Sequence, residues 1–111
     1  MGKVKKDNFS DRQFRREELL RPSRYLGYEH DAIGVYTFNR GAYSIAEKEF
    51  RRAIWLNPYE PEFKIHLAWC LYKLKDFDQA RKLVSELTEQ KFNSVELKDL
   101  AECLKSVPEH R

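Results

Sequence analysis

Residues 33–50 read IGVYTFNRGAYSIAEKEF and residues 67–84 read LAWCLYKLKDFDQARKLV, and laying one over the other at a shift of 34 decides the fold. The shift pairs Ile33 with Leu67, Gly34 with Ala68, Val35 with Trp69, Phe38 with Tyr72, Tyr43 with Phe77, Ala46 with Ala80 and Phe50 with Val84. Small residues fall on small, and aromatics on aromatics or bulky apolars, as a repeated structural unit requires. Carried forward, the shift sets Phe63 over Leu97, Leu67 over Ala101 and Cys70 over Leu104, so a further half-unit follows the second. Carried backward, it drops Arg12 and Arg16 where Ala46 and Phe50 stand, so the repeat begins near residue 27.

Inside each unit the apolar spacing is helical and is interrupted near the middle, as two helices joined by a short turn demand. The first helix is predicted over residues 28–40, closed by Gly41, which takes the left-handed conformation without strain. A second is expected from Ser44 to Leu56, with Ser44 and Glu47 forming a capping box and Asn57-Pro58 ending it. Pro61 suits the first turn of a third helix reaching Leu74. Asp76 with Gln79 opens a fourth that ends near Gln90, and Ser94 caps a fifth over residues 95–105. That last helix carries Leu97, Leu100, Ala101 and Leu104 on one face, the one-sided pattern of a terminal cap. A short additional helix over residues 10–20, burying Phe14, would precede Pro22.

Composition agrees with one helical domain. Two Trp, six Tyr and seven Phe in 111 residues, 41% of them hydrophobic, exclude a disordered chain although 35% are charged. Four Gly and four Pro are too few for many tight β-turns. No apolar run has the length of a membrane span or a secretory signal, so a cytoplasmic protein without membrane insertion is expected. Cys70 and Cys103 lie far apart and read as reduced packing residues. Of the net charge of +3, residues 1–25 hold the whole excess, with eight Lys/Arg against four Asp/Glu. The arm over residues 1–26 therefore reads as a basic segment ahead of a folded unit over residues 27–111.

The period and its marker residues resemble the tetratricopeptide repeat. Gly34, Ala46, Phe50, Ala53 and Pro58 fill its slots in a first repeat over residues 27–60. Leu67, Ala68, Tyr72, Phe77 and Ala80 fill them in a second over residues 61–94, with residues 95–105 similar to the capping helix that often follows. Val84, Leu87 and Phe92 depart from the family's aromatic, Ala and Pro, and His30 and Lys64 from its first aromatic. The resemblance implies an all-α superhelix of antiparallel hairpins, about five helices, whose inner face lines a concave groove for peptides. The inner positions would be Tyr28, Asp31, Val35, Phe38 and Asn39, then Glu62, Ile65, Trp69, Tyr72 and Lys73. Asp31 and Ile65 stand where carboxylate-gripping members of the family have Lys, and Val35 and Trp69 where they have Asn, so that clamp is absent.

No glycine-rich phosphate loop and no nucleophile-and-base pairing is present, so catalysis is not expected. His30, His66 and His110 fit no metal-binding helix motif, and no metal or cofactor is expected. The leading expectation is a non-enzymatic adaptor or scaffold that holds a peptide or helix of a partner protein, with Val35, Phe38, Asn39, Ile65, Trp69, Tyr72 and Lys73 as contact residues. Two alternatives stay open. A self-associating module would suit so short an array, and the inner-face aromatics would then be covered by a second copy, or by the N-terminal segment, in place of a partner. Nucleic acid or an acidic partner, bound through the basic arm, ranks third.

Overall fold

The computed structural model describes residues 22–108. Within them the chain forms five α-helices and no strand: α1 (Tyr28–Asn39), α2 (Tyr43–Leu56), α3 (Pro61–Lys73), α4 (Phe77–Glu89) and α5 (Val95–Lys105). Each packs on the next, and α3 also meets α1 and α5. The short helix expected over residues 10–20 lies outside the described residues.

The turns repeat with the helices. Gly41, at φ +85°, follows α1. Its N–H donates to Phe38 O at 2.9 Å, and that of Ala42 donates to Thr37 O at 2.9 Å, which satisfies carbonyls the helix end would leave bare. Lys75 stands 34 residues on at φ +68° and reproduces both bonds, with Asp76 N–H donating to Leu71 O at 2.8 Å. Lys91 does so again after α4 at φ +61°.

The same turn corrects the expected start of α2. Because Ala42 is already bound back to α1, the helix begins at Tyr43, and Ala42, without a capping side chain, is its N-cap. Ser44 is therefore inside the first turn and forms no capping box, while Glu47 instead accepts from Arg51 Nε at 2.9 Å. The other caps form as read. Asp76 accepts from Gln79 N–H at 3.3 Å and Ser94 from Leu97 N–H at 3.2 Å.

Small residues set the helix spacing. A Cβ built on Gly34 would lie 2.4 Å from the Phe50 ring, so α1 and α2 approach as they do only because no side chain intervenes. Ala46, Ala53, Ala68 and Ala80 are fully buried at the corresponding contacts. Near the turns, Phe38 meets Tyr43 edge-on with centroids 5.1 Å apart, and Tyr72 meets Phe77 in the same way at 5.7 Å. The main core joins Phe50, Leu67, Leu71, Leu100 and Leu104, and a smaller cluster joins Ile65, Leu87 and Leu97. Through Leu97, Leu100 and Leu104, α5 closes both clusters.

Asn57 has a role the sequence reading did not give it. It is 1% exposed, its amide donates to Arg24 O at 3.2 Å and Leu26 O at 3.1 Å, and its Oδ1 accepts from Tyr59 N–H at 3.1 Å. With Ser23 N–H donating to Leu56 O at 3.0 Å, it fastens the segment before α1 to the junction of α2 and α3.

Candidate functional site

A groove of about 390 Å³ opens between α1, α3 and α5. Val35, Phe38 and Asn39 of α1 form one wall and His66, Trp69 and Lys73 of α3 the other. The buried Phe50 ring lies beneath, and Glu96 of α5 stands at one end. The helical period explains the walls, since residues three and four apart share a face. Val35, Phe38 and Asn39 share such a face, as do His66, Trp69 and Lys73.

Of the residues expected to contact a partner, Val35, Phe38, Asn39, Trp69 and Lys73 are brought together here. Ile65 is not. It is fully buried against Leu87 and Leu97, because α5 lies over the place where an inner position would face solvent, and it cannot touch a ligand. Tyr72 packs edge-on behind Trp69 at 5.9 Å and against Phe77, buttressing the wall without lining it. Trp69 is half-buried and rests on both core clusters, so it is wall and core at once.

At the Glu96 end, the groove is polar. Asp31 Oδ1 lies 2.8 Å from His66 Nδ1, and His66 Nε2 lies 3.9 Å from Glu62 Oε2. Burial lowers the pKa of His66, but the hydrogen bond to Asp31 and the charges of Asp31, Glu62 and Glu96 outweigh it and hold the imidazole above the usual histidine value. Burial raises Glu62, and hydrogen bonding and charge from Glu96 push it further in the same direction. Sequence reading placed Asp31 and Glu62 on the inner face but missed His66 and Glu96 as companions. Glu62 lies one helical turn before His66, so a carboxylate at helix-motif spacing is present in the sequence, and the reading of His66 as fitting no such motif overlooks it. Nothing local joins Glu96 to them.

The model of the family described as Tetratricopeptide repeat matches residues 38–104. The chain belongs to the tetratricopeptide repeat family. In this tetratricopeptide protein the match takes in the last two residues of α1, the whole of α2, α3 and α4, and nearly all of α5. Members of the family generally mediate protein–protein interaction and are typically non-catalytic. No curated protein and no solved structure gives a significant match. Among the described residues, no helix is long and apolar enough to cross a membrane.

Proposed function

We propose that this chain is a non-enzymatic adaptor that binds a peptide or helix of a partner protein in the groove between α1, α3 and α5. The observation that supports this most strongly is the groove's makeup: Val35, Phe38 and Trp69 offer apolar walls, Phe50 an apolar floor, and Asn39 and Lys73 an exposed polar lip. An apolar depression with a few polar groups at its rim suits an amphipathic segment, whose hydrophobic side chains enter while its backbone or polar face meets the lip. The residues proposed to contact the partner are Val35, Phe38, Asn39, Trp69 and Lys73, with Tyr72 supporting Trp69.

The lip supplies a test that leaves the core untouched. Asn39 and Lys73 are exposed, as are Lys48 on α2 and Lys82 on α4, away from the groove. A photo-crosslinking amino acid at Asn39 or Lys73 should trap a discrete protein partner in native lysate, and one at Lys48 or Lys82 should not. Adducts formed equally at all four positions, or only at the outer two, would count against the groove. Adducts consisting of a second copy of the chain would favour self-association.

A further inference from the structure

We propose that Glu62, His66 and Glu96 bind a divalent transition-metal ion of the zinc class, with Asp31 orienting the imidazole from behind. One ligand atom from each of the three residues lies within 4.8 Å of the others, and the His66 Nε2 to Glu62 Oε2 separation is 3.9 Å. Metal–ligand bonds of roughly 2.0–2.2 Å arranged tetrahedrally hold their donors about 3.4 Å apart, so the His66–Glu62 pair must close by about 0.5 Å and the widest pair by up to about 1.4 Å. That contraction falls on flexible groups: the Glu96 side chain is exposed, and that of Glu62 is 43% exposed.

The imidazole is what distinguishes this group from a chance meeting of carboxylates. Asp31 Oδ1, 2.8 Å from Nδ1, favours the proton on that nitrogen and leaves the Nε2 lone pair on the side of Glu62, 3.9 Å away, with Glu96 completing the group. A carboxylate behind a ligating histidine fixes both tautomer and ring orientation and raises the basicity of the donor. The Phe50 ring, centroid 5.5 Å away, packs beside the imidazole. The positions come from three helices: Asp31 on α1, Glu62 and His66 on one face of α3, and Glu96 on α5. A bound ion would thus link the first hairpin, the second and the terminal helix.

Donor chemistry selects the class of ion. One imidazole nitrogen with two carboxylate oxygens suits zinc and its first-row neighbours, whereas calcium and magnesium favour all-oxygen shells. Three protein ligands leave a position open, and His66 and Glu96 line the groove, so the vacant coordination faces water or a donor arriving there. Glu62 and Glu96 also bring two carboxylates within 4.8 Å of each other, a crowding of like charge that a cation between them would relieve. The site requires nothing of a groove ligand, so its test is independent of partner binding.

The full chain, stripped with chelator, would be titrated with Zn²⁺ by calorimetry and with Co²⁺ by visible absorption. One saturable site and a raised melting midpoint are expected. Glu96→Gln should weaken Zn²⁺ binding at least tenfold while leaving the metal-free midpoint unchanged, and His66→Gln should weaken it further. Asp31→Asn, a change to the positioning residue, should weaken binding roughly 10–100-fold and shift the Co²⁺ spectrum. Glu102→Gln, on the exposed face of the same helix as Glu96, should alter nothing. Absence of saturable binding would overturn the proposal, and so would binding that survives Glu96→Gln undiminished. Since Glu96 is exposed, that variant decides the matter even if His66→Gln fails to fold.

Discussion

Lys75 stands at a backbone position better suited to glycine. It occupies the place of Gly41 one repeat later, with φ +68°, and its side chain is exposed. A left-handed conformation costs an L-residue about 1–2 kcal/mol, from which glycine's greater loss of freedom on folding, about 0.5–1 kcal/mol, must be subtracted. Lys75→Gly should therefore stabilise the chain by up to about 1.5 kcal/mol in urea denaturation, and Gly41→Ala should destabilise it. The two thiols differ as sharply. Cys70 is fully buried and donates its Sγ–H to Tyr43 O at 3.0 Å. Burial first and the charge of Glu47 second, opposed by Arg51, push its pKa up to about 11. At pH 8 only about a thousandth would be thiolate, even before access is counted. Maleimide at that pH should label half-buried Cys103 in the native protein and Cys70 only after unfolding. Labelling of both at similar rates would mean that α3 does not sit as described.

The repeat is legible at the level of elements because each helix is dictated by its own neighbours in sequence. The 34-residue shift and the cap residues Asp76 and Ser94 locate helices that the structure contains. Where two local rules compete, sequence alone does not choose: Ser44 satisfies a capping pattern, yet the turn after α1 has already assigned that place to Ala42. Long-range placement is harder still. Ile65 reads as an inner-face residue until α5 covers it with Leu97, and His66 gains Glu96 only because the same helix folds back beside α3. Neither contact has a local periodic signature. The contact between α1 and α2 does, in the pairing of Gly34 with Phe50. Gly34→Ala places a methyl group into the Phe50 ring and should cost about 1–3 kcal/mol by thermal or urea unfolding. Adding Phe50→Leu should recover part of that loss, since a smaller, non-planar side chain can yield to the methyl. A double variant no better than the sum of the two single changes would show that the ring is not what Gly34 accommodates.

For the molecule as a whole, two stacked hairpins and a closing helix make the groove a product of all three, which is why its chemistry could be read only in part from residues. The apolar strip of Val35, Phe38 and Trp69 was visible in the repeat. Asp31 and Glu62 were visible on the inner face as well, but the bond of Asp31 to His66 and the approach of Glu96 to that histidine were not. Trp69 cannot by itself decide whether the groove is used, because it rests on both core clusters and its truncation removes packing as well as surface. Val35 is more informative: it lines the groove half-buried, and a lysine there can lay its methylene stem along the wall and carry its ammonium outward. The most direct measurement is capture of protein partners from native lysate by the wild type and by Val35→Lys, with melting curves recorded on the same preparations and Lys48→Glu as the outer-surface control. The account predicts that Val35→Lys remains folded and loses the partners that both wild type and Lys48→Glu retain. Undiminished capture by folded Val35→Lys would contradict it.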